Sequence, residues 1–160
     1  MNRLTFTLKA WPVIALATIG LCFLTKTVAG WLGIDLPDQQ NIDVVRQYLT
    51  HAFDSARHFG TAAFLVAQVV VLLPAVEEVV FRLPTRWLRN GGWFFFSSAL
   101  FAAAHYIAQP WPDAAFLALF FFGLAQCGLY RKTGRLWCAM LNHALFNLTN
   151  LVLLFILPET

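Results

Sequence analysis

Charged residues make up only 12% of this 160-residue chain, about half of the roughly 25% found in ordinary soluble domains. A chain so poor in charge cannot clothe a water-soluble surface. Being 59% hydrophobic, it also cannot be a disordered segment, a low-complexity linker or a collagen-like fibre. Cysteine is sparse as well: Cys22, Cys127 and Cys138 each lie in an apolar stretch, and no two stand at CxxC spacing. That is the setting of small buried hydrophobes, not of a disulfide framework or a zinc site. No strictly alternating run marks a strand. The GxSxG and HExxH signatures are both missing, so serine-nucleophile and zinc-hydrolase mechanisms lack their usual sequence support.

The chain has long apolar runs instead. Residues 10–25, 60–76, 93–112, 114–130 and 136–158 contain no Asp, Glu, Lys or Arg, and a helix needs roughly 20 mostly apolar residues to cross a bilayer. Lipid offers backbone polar groups no partner, so such runs must close their own hydrogen bonds as helices. The expectation is an all-α, polytopic membrane helix bundle of about five transmembrane helices, forming a single domain over 1–160 with its core at about 60–158. Between the first two spans, Ile42, Val45, Leu49, Ala52 and Phe53 recur at helical spacing, with Asp43, Arg46, Gln47 and Asp54 on other faces. This is the pattern of an interfacial amphipathic helix; His51 and His58, in or beside it, read as solvent-facing. Arg3 and Lys9 ahead of the first run imitate a secretory signal, but four further runs make a cleaved leader unnecessary, so the first is expected to be retained.

Net charge is +3, and its distribution matters more than its sum. With five spans, Arg3, Lys9, Arg82, Arg86, Arg89, Arg131, Lys132 and Arg135 fall on one side. Asp35, Asp38, Asp43, Asp54, Asp113 and Glu159 fall on the other, with Arg46 and Arg57. The positive-inside rule then puts the N-terminus in the cytoplasm. The basic excess is thus assigned to the lipid bilayer, and no nucleic-acid partner is expected.

Ionisable groups in or beside apolar runs are where function concentrates, because a charge in a bilayer is tolerated mainly for pairing or chemistry. Three segments carry them: Glu77-Glu78-Val79-Val80-Phe81-Arg82, Phe101-Ala102-Ala103-Ala104-His105, and His143-Ala144-Leu145-Phe146-Asn147. Glu78 and Arg82 stand at i and i+4 with the acid first, the favourable order for a helical ion pair. Glu77 is turned about 100° away, so one arginine cannot easily neutralise both acids, and Glu77 is expected to face the bundle interior. Glu77 lies 14 residues before Gly91 and His105 lies 14 after it, each about 20 Å from that turn if the helix runs on through Pro84, where a kink is expected. Asn147, 13 residues beyond Gly134, reaches a similar depth, with His143 one turn lower on the same face. Ser98 and Ala102 share roughly the face of His105 as a small-xxx-small pair that lets helices approach closely.

The three segments, EExxxR, FxxxH and HxxxN in that order, resemble the CPBP or Abi family of glutamic intramembrane proteases, whose best-known members are the CAAX prenyl endopeptidases of the Ras-converting type. The likeness runs from about Val71 to Asn147 and includes the stretch Leu129-Tyr130-Arg131-Lys132-Thr133-Gly134-Arg135-Leu136-Trp137. The flanking helices are fewer than in the longer eukaryotic relatives. The resemblance implies that Glu77, assisted by His105, activates a water that attacks a peptide carbonyl, that His143 and Asn147 stabilise the oxyanion, and that Glu78 and Arg82 support them. It further implies a membrane-anchored protein or peptide as substrate and, together with the chain's size, a bacterial inner membrane as the location; the compact, membrane-dominated chain suggests a dedicated peptidase that cleaves near a C-terminal anchor or sorting tail, with no cofactor and no metal expected. Three other readings stay open on the residues alone. Glu77, Glu78, His105 and His143 are metal-capable donors; a non-catalytic partner, such as a bacteriocin-immunity or scaffolding protein, would use the same fold; and intramembrane Glu, Arg and His also build proton relays.

Overall fold

The computed structural model describes residues 2–36, 40–88, 91–107 and 113–156. Asp38, Arg89 and Glu159 of the charge distribution lie outside these residues, as does the end of the run expected over 93–112.

Helix α1 (Arg3–Trp31) starts where the Asn2 side chain accepts a hydrogen bond from Thr5 N–H at 2.8 Å, a side-chain cap on an otherwise orphaned donor. At 29 residues it is about 43 Å long. It overruns the charge-free stretch 10–25 at both ends, since Arg3 and Lys9 do not interrupt a capped helix. Thr7, Thr18, Thr25 and Thr27 each return their hydroxyl to the carbonyl four residues earlier, so these polar atoms are satisfied inside their own helix.

Helix α2 (Gln40–Thr50) is the amphipathic segment, and α3 (Ala56–Ala67) follows it, capped by Ser55, whose side chain accepts from His58 N–H. Between them His51 Nδ1 pairs with Asp54 Oδ2 at 2.8 Å on an exposed surface. Without a break, α3 runs into a π turn (Gln68–Leu72), α4 (Leu73–Arg82) and a 3₁₀ turn (Leu83–Arg86), making one rod of 31 residues. The span expected over 60–76 is therefore longer at both ends: the Ser55 cap starts it sooner, and Glu77 to Arg82 continue it. Pro84 tightens the rod into the 3₁₀ turn, and a second irregularity, the π turn, sits just before Pro74.

Helix α5 (Gly91–Ala104) is shorter than expected. His105 is not a mid-helix residue: it opens a turn in which its N–H bonds Ala102 O at 3.2 Å and Tyr106 N–H bonds Ala103 O at 3.0 Å. The Tyr106 hydroxyl donates to Asp113, whose carboxylate also accepts from the N–H groups of Ala115 and Phe116. Asp113 thus ties the exit of α5 to the first turn of α6 (Ala115–Thr133). Helix α6 closes on Gly134 at φ +66°, with its N–H on Tyr130 O at 2.8 Å, a left-handed cap that L side chains rarely adopt. It turns the chain directly into α7 (Leu136–Ile156).

Helices α5 and α6 touch through small residues. A Cβ placed on Gly123 would lie 3.0 Å from Ser98 Cβ, and both Ser98 and Ala102 are fully buried, so the small-residue face is where α6 docks. One core cluster joins Ala15 of α1, Phe101 of α5, Phe122 of α6 and Phe146 of α7, with Phe81 of α4 against it. A second joins Leu49, Ala52, Ala62 and Leu151, with Val45 and Val66 packed alongside; here the amphipathic segment lays its apolar face on α3 and α7, while Phe53 stays exposed.

At one end of the bundle the Arg131 guanidinium lies 5.6 Å from the centre of the Phe94 ring and the Lys132 ammonium 4.4 Å from that of Phe6. These contacts bring the starts of α1 and α5 to the basic end of α6. The outer faces are apolar: Val13, Leu16, Phe23, Phe64, Phe95 and Val152 are all exposed, an exterior suited to lipid rather than water. Three helices, Arg3–Trp31, Ala56–Arg86 and Leu136–Leu154, are long and apolar enough to cross a membrane. Of the other two expected spans, the one over 93–112 is helical only to Ala104 and the one over 114–130 lies in α6, which ends on basic residues. Among the described residues there is no strand. The protein is an all-helical integral membrane protein.

Candidate active site

The spacing of Glu78 and Arg82 puts both on the inward face of α4, and both side chains are fully buried, with Arg82 Nε 3.3 Å from Glu78 Oε2. Burying two charges is costly unless further groups satisfy them; α5 supplies part of that, while Glu78 Oε2, Arg82 Nε and Arg82 Nη2 have no hydrogen-bond partner among the described residues and rely on the ion pair itself. Arg82 Nη1 donates to Ser97 Oγ at 3.3 Å, and the Ser97 hydroxyl donates in turn to Phe81 O. The guanidinium lies 4.7 Å from the centre of the Phe101 ring, a cation–π contact that strengthens away from water.

Helix α7 completes the cluster from the other side. His143, 2% exposed, places Nδ1 2.9 Å from Glu78 Oε1 and Nε2 3.5 Å from Glu77 Oε2. The contact with Glu78 is a hydrogen bond, and the one with Glu77 is a longer ion-pair approach. Phe122 and Phe101 meet the ring edge-on at 4.9 and 5.8 Å between centres, so packing as well as charge sets its orientation. Glu77, expected to face the bundle interior, does reach the buried His143 ring, but it is the less buried of the two acids. Glu78 is the interior acid, and Glu77, one residue round the helix, keeps 24% of its side chain accessible.

The other two expected residues flank this cluster. His105 Nδ1 lies 2.9 Å from Phe101 O; a carbonyl only accepts, so Nδ1 carries the proton and Nε2 is the basic nitrogen of the neutral ring. Its ring packs on Phe101 at 4.7 Å, which places Phe101 in contact with Arg82, His105 and His143 together. Asn147 lies one turn beyond His143 on α7, and its Nδ2 donates to Val69 O in the π turn at 2.8 Å.

The structure therefore brings Glu77, Glu78, Arg82 and His143 into one cluster, joins His105 to it through Phe101, and places Asn147 against the backbone that leads into Glu77. Sequence reasoning had Phe101 only as the first residue of FxxxH and passed over Ser97, four residues earlier on α5. It also passed over Gln126 and Asn142, a fully buried amide pair at 3.0 Å between α6 and α7; a lone glutamine in an apolar run was the available signal. Among the described residues no group of three or more His, Cys, Asp or Glu is arranged to hold a metal ion.

Fold and cluster together define a class: a polytopic helical membrane protein with a buried acid–imidazole centre. The family model described as Type II CAAX prenyl endopeptidase Rce1-like matches residues 45–149, and the chain belongs to that family. It is a membrane protease of the intramembrane endopeptidase kind. No curated protein and no solved structure matches it.

Proposed function

We propose that this protein hydrolyses a peptide bond with a water activated by Glu77. The observation that carries the reading is the contrast in one dipeptide: Glu77 is accessible and loosely held, while Glu78 is buried and fixed by Arg82 and His143. Glu77 takes a proton from water as the oxygen attacks the carbonyl carbon, and the same carboxyl then returns the proton to the departing amine. General base catalysis of this kind is worth roughly 10²–10⁴ in rate. His105 orients the water, and Asn147 and His143 donate to the oxyanion as it forms, His143 through Nε2–H, the nitrogen not bonded to Glu78, an effect worth about 3–4 kcal/mol per donor in other oxyanion holes. Glu78 and Arg82 hold His143 and α4 in place. Asn147 can serve in this role while bonded to Val69 O, because its amide carries a second N–H.

The substrate in this reading is a membrane-anchored protein or peptide cleaved near a C-terminal anchor or sorting tail. Nothing in the sequence reads a prenyl group. The protein sits in a bacterial inner membrane with its N-terminus in the cytoplasm, and its catalytic core spans about 60–158 of a single domain. Mass spectrometry of membrane-protein C-termini in the native host, comparing the parent with Glu77→Gln at equal expression, tests it. Uncleaved hydrophobic tails that accumulate only with the variant support the peptidase. Identical termini, with the null phenotype rescued, would replace it with a non-catalytic partner role.

A further inference from the structure

The π turn ahead of the two glutamates creates an unmet hydrogen-bond acceptor. In such a turn each N–H bonds the carbonyl five residues back, and Leu73 N–H does so to Gln68 O. The next donor in that register would reach Val69 O, but position 74 is proline, which has no N–H. Val69 O is thereby deprived of its backbone donor inside an apolar rod, where an unpaired carbonyl is costly. Asn147 Nδ2 takes the place of that donor at 2.8 Å. One turn earlier on the same helix, His143 holds Glu77 and Glu78.

We infer that Pro74 and Asn147 are positioning residues: the N–H missing at Pro74 opens an acceptor at Val69, Asn147 fills it, and this lock sets the rotation at which α4 presents Glu77 and Glu78 to His143. A π turn inserts one residue into the helical ladder. Regularising it to α carries everything after Leu72 round by roughly 100° relative to α3, enough to take Glu77 off the imidazole. The lock itself does not depend on Glu77 being a base; only its bearing on turnover rests on that reading.

The test uses the full-length protein in detergent micelles, labelled with ¹⁵N-histidine, as parent, Pro74→Ala, Asn147→Ala and the double variant. Asn147→Ala is expected to lower the thermal unfolding midpoint by several degrees in the parent, and by less than half as much with Pro74→Ala, where position 74 gains a backbone N–H. Pro74→Ala alone is expected to move the His143 imidazole signals while those of His51 and His58 stay in place. If Asn147→Ala folds only in the Pro74→Ala background, that is the same coupling in its extreme form. Equal cost of Asn147→Ala in both backgrounds, or unmoved His143 signals, would overturn the inference. Failure of the peptidase reading leaves both readouts unchanged and appears separately in the C-terminal mass spectra.

Discussion

Glu78 is fully buried, with Arg82 3.3 Å from one oxygen and His143 2.9 Å from the other, whereas Glu77, its neighbour in sequence, is 24% accessible and meets His143 Nε2 at 3.5 Å. The residue type is the same and the settings are opposed, because a step of about 100° around the helix carries one carboxylate into the bundle and leaves the other at its margin. The lesson is a division of labour. A charge taken wholly out of water has to be matched by partners on every side, and a carboxylate so matched is ill suited to accept a proton from anything new. The margin position keeps a carboxylate close to the same imidazole yet reachable.

The buried side of this contrast breaks most readily at Arg82. Arg82→Ala takes from Glu78 its permanent counter-charge and leaves it with His143 alone, at an expected cost of about 3–5 kcal/mol, read as a loss of the folded protein in detergent melts. The double variant Glu78→Leu/Arg82→Met is expected to recover most of that stability, since replacing a whole buried pair with apolar groups is often neutral. A smaller effect follows from Ser97→Ala, which takes a partner from Arg82 Nη1 and a donor from Phe81 O. It is expected to cost about 1–3 kcal/mol, a drop in melting midpoint with no change of fold by circular dichroism. Smallest is His51→Ala, which removes an exposed pair with Asp54 and is expected to shift stability by under about 1 kcal/mol. A comparable cost for His51 and Arg82 in the same melts would erase the distinction between surface pair and buried frame.

Much of this was legible from residue spacing. Each of the five charge-free runs contributes a helix, because lipid leaves the backbone no other way to bond, although the run over 93–112 leaves its helix after Ala104; the i, i+4 placement of Glu78 and Arg82 gave their pairing directly. Depth counting set Asn147 level with Glu77 and His143 one turn lower, whereas it is His143 that meets the glutamates and Asn147 that meets Val69 O. What escaped the sequence was rotation and termination. The π turn lies in Gln68-Val69-Val70-Val71-Leu72, where nothing in the side chains marks an extra residue per turn; only Pro74, two positions on, withholds an N–H. The end of α5 at Ala104 depends on Tyr106 meeting Asp113, a contact across a connection that local pattern does not reveal. Counting 14 residues on from Gly91 therefore put His105 inside a helix when it stands just beyond one. Helix α3 began early for the converse reason: charge-free runs stop at Arg57, but the Ser55 cap does not.

The most direct test of the account is to make Glu77→Gln and Glu78→Gln side by side, at equal expression, and to record both the thermal midpoint in detergent and the C-terminal processing of host membrane proteins. The account predicts that Glu77→Gln melts within a few degrees of the parent and abolishes processing, while Glu78→Gln melts markedly lower, since it strips Arg82 of its counter-charge. Processing that survives Glu77→Gln, or a melt in which both variants fall equally, would contradict the assignment of one carboxylate to chemistry and the other to the frame.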